Sequence, residues 1–358
     1  MIVFNVLLIY SFFIYKQVNF ALNSDLGYDP ENLVVVYLDL DYFSEYDVYL
    51  NSIVENSNII SISGASTAPP TEAASYSKFA RVDDPSVEVT FESYLIDYNF
   101  FKTLNVNILE GRAFSREYPT DQTSSIIINQ QAVDEFGIKK PIGKKIGDRR
   151  IIGVVDNFNV HSFRRKILPS IFTMDPTRIY SIILRVNPQN QKATIKFLES
   201  KMKEIAPSHP FTYKIIKPEL RNFYKADLNF GNSITIYTLF TLLISTLGLL
   251  GLTLFLAKRR SKEITIRKVH GANTIDIIKF YLSEYLGIVI IANIIAWPLA
   301  YLFVDKWLQD FPIRISLMEN FWLFLISGII SSVFVFGIVG IKAIHTSLTN
   351  PVENLKYE

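Results

Sequence analysis

Hydrophobic and polar positions alternate in long blocks along the chain, and three apolar blocks in its second half are long enough to cross a bilayer. Residues 234–256 contain no charged side chain. As a helix this run reaches about 34 Å, which exceeds the ~30 Å of a hydrocarbon core. Residues 282–304, apolar apart from Glu284, and residues 321–341 form two further runs. Runs of this length favour membrane-spanning helices over buried helices of a soluble core.

The apolar run at the N-terminus is shorter than the other three. Residues 2–15 reach only about 21 Å as a helix, which is less than a full span. No Lys or Arg precedes the run, and residues 20–23 are a poor signal-peptide cleavage site. Extension through Lys16, whose charge can reach the headgroups, gives a workable anchor. We therefore predict a first transmembrane helix over residues 1–20, short because the natural chain is expected to extend upstream.

The short loops predict the orientation of these helices. The loop 257–279 holds seven Lys and Arg residues, whereas the loop 305–320 holds two. Basic residues concentrate in cytoplasmic loops, so the first loop is expected inside and the second outside. Both termini, including the tail 342–358, are then cytoplasmic, and residues 21–230 form an extracytoplasmic domain.

The segment 21–230 has the pattern of a mixed α/β domain. β-Branched and aromatic runs predict strands over 33–38, near 59–62, and over 125–129, 150–155 and 181–186. Helical spacing of apolar residues predicts helices over 46–54, 130–136 and 191–205. The small and polar stretch 67–77, with Pro69-Pro70, is typical of a loop between subdomains. We expect two small α/β subdomains, one of which pairs the first and last segments of the domain.

Together these patterns predict the fold class. The chain is expected to be a membrane protein with four transmembrane α-helices and a large extracytoplasmic α/β (α+β) domain of two subdomains between helix 1 and helix 2.

The amino-acid composition excludes several classes of function. The net charge of +2 is too balanced for a nucleic-acid-binding protein, and the absence of cysteine excludes disulfides and thiolate chemistry. The four histidines have no ligand spacing, so we expect surface or interfacial residues rather than metal ligands. They are His161, His209, His270 and His345. We find no nucleophile paired with a base, and predict no catalytic, cofactor-binding or metal-binding residue in this chain.

The stretch from Gly137 to Lys145 invites comparison with a phosphate-binding loop. Five residues separate its two glycines instead of four, and Lys145 stands where a Ser or Thr would bind Mg²⁺. A solvated basic turn is therefore the better interpretation.

The loop 257–279 is the most informative part of the sequence. Residues 261–270 should be helical, with Ile264 and Lys268 one turn apart and Gly271 as a C-cap. One interpretation is a basic face that rests on anionic lipid headgroups. The other is a helix that fits a groove on a cytoplasmic partner. The physical chemistry of the loop alone does not decide between them.

Several ordered motifs resemble one family, the MacB/FtsX-like ABC transporter permeases. In the second half they are LGLLGL at 247–252, the loop segment 259–272 and the ending 350–358. In the extracytoplasmic segment they are FFKTL at 100–104, EGRAFS at 110–115 and IGVV at 152–155. The family resemblance covers nearly the whole chain and implies the layout derived above.

The resemblance also implies partners. It implies a separate cytoplasmic ABC ATPase that holds the ATP and Mg²⁺, a second permease half (as a homodimer or pseudo-dimer), membrane lipid and a periplasmic adaptor. It places the chain in a bacterial cytoplasmic (inner) membrane and favours the partner-groove interpretation of the loop. The expected contact residues of this coupling helix are Arg260, Lys262, Glu263, Ile264, Ile266, Arg267, Lys268 and Gly271.

The resemblance leaves length and function partly open. The opening of the chain resembles the second half of eight-span Bacteroidetes-type members, so we expect either a half-length subunit that dimerises or a fragment of a longer frame. The implied function is mechanotransmission, in which ATP hydrolysis drives an extracytoplasmic movement that expels or releases a substrate. The alternatives are an FtsX-like regulator of a cell-wall hydrolase, and a receptor or anchor without an ATPase.

Overall fold

The structure is a computed structural model that describes residues 1–38, 46–81, 86–259, 263, 266–267, 270 and 273–348. It divides into two compact units. The helical unit comprises Met1–Ala21 and the described residues from Lys225 onwards, and the α/β unit comprises Leu22–Tyr224.

The helical unit is built from four long helices. They are α1 (Ile2–Asn23), α8 (Lys225–Arg259), α9 (Thr274–Leu308) and α10 (Trp322–Leu348). Each contains a segment long and apolar enough to cross a membrane, namely Ile2–Asn23, Lys225–Leu256, Tyr285–Leu308 and Trp322–Ile341. These four segments overlap the four predicted spans, and the predicted fold class is confirmed. Residues 305–308 of the predicted short loop belong to α9 and residues 342–348 of the predicted tail belong to α10, so those two bounds are wrong.

The helices extend beyond the apolar runs that predict them. Helix α1 continues past residue 20 to Asn23, since Ala21 and Leu22 are good helix formers. Helix α8 begins at Lys225, so its polar first turns occupy residues 225–230, which the sequence pattern assigns to the domain. Polar helical turns of this kind carry no hydropathy signal, so a search for apolar runs misses them.

Helix α1 is packed against α9 and α10. Ile9 and Phe13 are fully buried in a cluster with Ala300, Val304 and Phe324. A polar contact adds to this packing at the buried side chain of Gln17. Its amide nitrogen donates to the carbonyl of Ile313 (3.1 Å), and its amide oxygen accepts from the backbone N–H of Ile315 (2.9 Å). Helix α1 is therefore fixed to the segment that connects α9 to α10.

The first sheet of the α/β unit has the strand order β11-β1-β10-β2. The strands are β1 (Leu33–Tyr37), β2 (Ile59–Ala65), β10 (Ser181–Val186) and β11 (Thr212–Ile215), and neighbours are antiparallel. Helices α2 (Tyr46–Ile53) and α6 (Gln191–Ile205) pack on it through Tyr49 and Leu198. Two β-α-β units are thus interleaved in one sheet, as in ferredoxin-like folds. The predicted pairing of the first and last segments is confirmed by β1, β10 and β11.

The second sheet is mixed and has the order β3-β4-β9-β6-β8-β5, with β7 paired to β8. Its strands are β3 (Tyr76–Ala80), β4 (Glu88–Leu95), β5 (Ile108–Gly111), β6 (Ser125–Asn129), β7 (Lys145–Ile146), β8 (Arg149–Val155) and β9 (Ser170–Thr173). Strands β6 and β8 are parallel and joined through α5 (Gln130–Phe136), which packs on the core of Ile126, Ile128 and Ile151. The short helices α3 (Phe100–Leu104), α4 (Asp121–Ser124) and α7 (Ile216–Phe223) complete the unit.

The predicted loop over residues 67–77 is wrong at its end. Tyr76 and Ser77 belong to β3, where they pair with Glu92 and Phe91 of β4. Strand β3 lies at the edge of the sheet and alternates exposed and half-exposed residues. At such an edge the first residues of a strand stay solvent-exposed, so the start of β3 is hard to tell from the polar loop before it.

Candidate functional site

The predicted coupling loop 257–279 is longer than the connection between α8 and α9, because residues 257–259 belong to α8 and residues 274–279 to α9. Of its expected contact residues, Glu263, Ile266 and Arg267 belong to the described part of the chain, and all three are helical. The other five lie outside the described residues, namely Arg260, Lys262, Ile264, Lys268 and Gly271.

Local contacts hold the described residues of this loop. The Nη2 atom of Arg267 donates to the Oε1 atom of Glu263 at 2.9 Å, one helical turn away, and both side chains are about half exposed. The backbone N–H of His270 donates to the carbonyl of Ile266 at 3.1 Å, and the Nδ1 atom of His270 lies 2.8 Å from the same oxygen. The Ile266 side chain is 59% exposed. The described part of the loop thus presents an exposed apolar side chain and an ion pair.

A capping box fixes the point where α9 begins. The Oδ1 atom of Asn273 accepts from the backbone N–H of Asp276 at 3.0 Å, and Oδ2 of Asp276 accepts from the backbone N–H of Asn273 at 3.1 Å. This reciprocal arrangement satisfies two backbone donors that a helix start leaves unpaired. Sequence reasoning missed it, although an Asn followed three residues later by Asp was the signal that could have found it.

The α/β unit contains a buried polar site around His161. The Nε2 atom of His161 lies 2.5 Å from Oε1 of Glu92, and the two side chains are 6% and 3% exposed. On the other side of the ring, Nδ1 lies 2.6 Å from the carbonyl oxygen of Thr71. The expectation of a surface or interfacial histidine is therefore wrong for His161, because Glu92 and Thr71 supply the polar partners that burial requires.

The remaining histidines differ among themselves. His209 is also buried, at 7% exposure, and its Nδ1 atom lies 2.8 Å from the carbonyl of Pro210, so the surface expectation is wrong here too. His270 is exposed, as expected. The side chain of His345 lies outside the described residues. Among the described residues, no three His, Asp or Glu side chains form a group that could hold a metal ion.

Two neighbours complete the His161 site. Burial, together with the Glu92 carboxyl, raises the pKa of the Tyr94 hydroxyl far above its ordinary value, so Tyr94 stays a neutral phenol. Arg165 donates from Nη2 to the hydroxyl of Tyr76 at 2.9 Å and from Nη1 to the carbonyl of Glu72 at 3.2 Å. The site therefore connects β4, the segment before β3 and the segment after β8. No local pattern could have revealed it, because Glu92 and His161 are 69 positions apart.

The EGRAFS motif at residues 110–115 is structural. Arg112 binds Asp121 with both guanidinium nitrogens, at 2.5 and 2.8 Å, and the Asp121 side chain is fully buried. The same carboxyl accepts from the backbone N–H of Ser115 at 3.1 Å and from the hydroxyl of Ser125 at 3.0 Å. Burial opposes ionisation of Asp121, but these hydrogen bonds outweigh it and hold its pKa below the ordinary value.

Glycines in the EGRAFS and IGVV motifs allow the backbones of the two motifs to lie in contact. A Cβ atom on Gly153 of the IGVV motif would lie 2.3 Å from the carbonyl oxygen of Arg112, and one on Gly111 would lie 2.1 Å from that of Ile152. Gly111 also has a φ of +73°, which side chains disfavour. The motifs of the extracytoplasmic segment therefore shape the sheet.

The stretch from Gly137 to Lys145 forms the C-cap of α5 and the turn that follows it. Gly137 ends α5 in the left-handed region, and its backbone N–H donates to the carbonyl of Val133. Gly143 also has positive φ, at +89°, and Lys145 begins β7. Lys139 and Lys140 are exposed, so the predicted solvated basic turn is confirmed.

Comparison with known proteins assigns both parts of the chain. Residues 8–198, which are more than half of the chain, match the family described as MacB-like periplasmic core domain. Residues 235–351 match the family described as FtsX-like permease C-terminal. A curated relative, the macrolide export ATP-binding/permease protein MacB of Bartonella quintana (strain Toulouse), is 24% identical over 247 residues. The match spans 63% of this chain and only 36% of the length of that relative.

Comparison with solved structures gave similarities that cover about half of this chain. The periplasmic region of MacB from Actinobacillus actinomycetemcomitans superposes with a TM-score of 0.41 at 16% identity, covering 56% of this chain and 95% of that one. The extracellular domain of the noncanonic ABC-type transporter YknZ from Gram-positive bacteria gives a TM-score of 0.37 at 13% identity, covering 51% and 98%.

Proposed function

The chain belongs to the family of FtsX-like permeases with a MacB-like periplasmic core domain, and from this premise we propose that it is the permease subunit of an ABC transporter. In this proposal a separate cytoplasmic ATPase binds ATP and Mg²⁺ and hydrolyses the nucleotide. The permease converts that cycle into a conformational change of its α/β unit, which expels or releases a substrate outside the cytoplasmic membrane. A second permease half and a periplasmic adaptor complete the proposed assembly.

The single observation that carries this proposal is the combination of two family segments in one chain. The core-domain match and the permease match follow each other in the order that the helices and the α/β unit have in the structure. The chain therefore carries both a domain to be moved and the helices that would move it. The α/β unit is inserted between α1 and α8, so both of its ends continue into a candidate span.

We propose that the loop between α8 and α9 docks on the ATPase as a coupling helix. The exposed Ile266 side chain supports this assignment, because an exposed apolar side chain of this size gains from burial in a partner's groove. The paired Glu263 and Arg267 would lie at the rim of such a contact, where charges set orientation more than affinity. The basic count of the loop supports a cytoplasmic location, with both termini on the same side.

Co-purification of the full chain with a candidate ABC ATPase tests the docking assignment. Ile266→Asp places an unpaired charge in the proposed contact, so we expect the affinity for the ATPase to fall by about tenfold or more. Arg267→Glu is expected to weaken binding to a smaller extent. Binding and ATPase activity unchanged by both substitutions would contradict the assignment.

A charge-swapped control separates docking from helix stability. The double variant Glu263→Arg with Arg267→Glu keeps the one-turn ion pair but reverses its direction on the surface. We expect this variant to keep its thermal stability and still bind the ATPase more weakly than the wild type.

The alternative function is an FtsX-like regulator of a cell-wall hydrolase, and the FtsX-like match is compatible with it. Capture of a cell-wall hydrolase in place of a substrate adaptor would support this alternative.

A further inference from the structure

Residues 157–168, which follow β8, contact several distant parts of the α/β unit, and we call them the clasp segment. The backbone N–H of Asn159 donates to the carbonyl of Leu26 at 2.7 Å. The backbone N–H of Phe163 donates to the hydroxyl of Tyr224 at 2.8 Å. Leu26 follows the end of α1, and Tyr224 precedes the start of α8. The clasp segment is therefore hydrogen-bonded to the chain both where it enters the α/β unit and where it leaves it.

The contact at the entry end is close as well as hydrogen-bonded. A Cβ atom on Gly27 would lie 2.3 Å from the carbonyl oxygen of Asn157 and 2.9 Å from the Cβ atom of Phe158. Gly27 has a φ of +74°, so a larger residue would be both strained and clashing. The chain that enters the domain thus lies directly against the backbone of the clasp segment.

His161 connects the clasp segment to the rest of the unit. The Nδ1 atom faces the carbonyl of Thr71, which can only accept, so Nδ1 carries a proton. On the other side of the ring, the Nε2 atom lies 2.5 Å from Oε1 of Glu92, inside the buried part of the unit. Nearby, Arg165 Nη1 lies 3.3 Å from Nδ1. Thr71 and Glu92 thus give both ring nitrogens of the buried histidine a polar partner, which burial requires.

Thr71 is bonded to the clasp segment twice. Its carbonyl accepts from His161, and its backbone N–H donates to the carbonyl of Val160 at 3.0 Å. Thr71 lies between β2 of the first sheet and β3 of the second. His161 therefore connects three things at one point: the clasp segment, the connection between the sheets, and β4 through Glu92.

We infer that His161 is a positioning residue that couples the two ends of the α/β unit, through the clasp segment, to the connection between its two sheets. A displacement of the chain at Leu26 or Tyr224 moves the clasp segment, and the buried pair transfers that displacement to Thr71 and β4. The role in transmission rests on the proposed function, since only a moving permease needs such a relay. The coupling itself is a property of the α/β unit and can be measured without an ATPase.

Hydrogen exchange of the full chain in lipid nanodiscs tests the coupling. His161→Phe removes the ring's hydrogen bonds, including those to Thr71 and Glu92, at similar volume, so we expect amide exchange of peptides 66–75 and 157–168 to rise together by about tenfold. Glu92→Leu serves as a second variant that leaves no unpaired buried carboxylate, and it should raise exchange of the clasp segment. Glu92→Gln keeps a hydrogen bond to Nε2 and should stay close to the wild type. His209→Phe, at an equally buried histidine outside the clasp segment, should leave both peptides unchanged.

Tyr224→Phe distinguishes coupling from simple destabilisation. This substitution deletes the hydroxyl that binds Phe163, at the exit end of the unit. In the wild-type background we expect faster exchange in peptide 66–75 as well as in the clasp segment, and in the His161→Phe background no further change in peptide 66–75. The inference is overturned if Tyr224→Phe has the same effect on peptide 66–75 in both backgrounds, or if Glu92→Leu and Glu92→Gln behave alike. Loss of ATPase binding would not alter either result, so it would count only against the proposed function.

Discussion

The loop between α8 and α9 and the clasp segment are stabilised in opposite ways. Around the loop, Arg267 bonds to Glu263 four positions away, and Asp276 at the start of α9 bonds to Asn273 three positions away. Residues of the clasp segment bond to partners far away in sequence, as His161 does to Glu92 and Phe163 to Tyr224. A locally bonded surface can change partners without disturbing the fold, whereas the clasp segment cannot move without moving what it holds. The first arrangement suits docking and the second suits transmission.

The largest effect on stability should come from the buried carboxyl of the α/β unit. Asp121→Ala removes the acceptor for Arg112, Ser115 and Ser125, so we expect the free energy of unfolding to fall by about 3 kcal/mol. Chemical denaturation of the purified chain measures this loss. Asp134→Ala, at an exposed aspartate that bonds Gln130 within α5, is the matched control and should stay within about 0.5 kcal/mol of the wild type. Equal effects of the two substitutions would contradict the distinction between buried and local contacts.

The same carboxyl predicts how stability depends on acid. The pKa of Asp121 is lower in the folded chain than its ordinary value of 3.8. A lowered folded pKa means that the stabilisation is present above the unfolded pKa and is lost as pH falls through the folded pKa. We therefore expect the wild type to lose stability below about pH 4 more steeply than Asp121→Asn. Parallel acid profiles for the two proteins would show that Asp121 makes no such contribution.

A smaller effect is expected at the start of α9. Asn273→Ala removes one half of the capping box, which costs a helix about 1 kcal/mol. Thermal unfolding measures the loss. Asn273→Ser keeps a capping oxygen and should recover most of it, so a Ser variant as unstable as the Ala variant would exclude capping as the cause.

The smallest effect on stability belongs to the loop itself. Arg267→Ala breaks an exposed one-turn ion pair, worth about 0.3–0.5 kcal/mol. We expect the unfolding midpoint to stay nearly unchanged while ATPase binding weakens. A loss of stability as large as that of Asp121→Ala would place Arg267 in the packed interior and contradict its role as a surface residue.

The features that the sequence could predict are those that depend on local contacts, and the features it could not predict depend on contacts distant in sequence. Strand β6 and helix α5 were found with correct bounds, because a run of isoleucines followed by Asn129 at the N-cap is a local signal. The four spans were found because hydropathy is summed over neighbouring residues. The burial of His161 was missed, since its partners Glu92 and Thr71 approach it only after the sheets form. The edge strand β3 was missed because its five residues are short of a full apolar alternation and alternate only between exposed and half-exposed positions.

The central claim is that the α/β unit moves when the partner ATPase binds nucleotide. The chain contains no cysteine, so two exposed lysines, Lys139 beside the second sheet and Lys196 on α6, can be replaced by cysteine and spin-labelled without background. Double electron–electron resonance then measures the distance between the two labels in nanodiscs that contain the ATPase. We predict that a non-hydrolysable ATP analogue shifts the distance distribution, and that Ile266→Asp abolishes the shift. An unchanged distribution in a complex whose ATPase is bound and active would contradict the account.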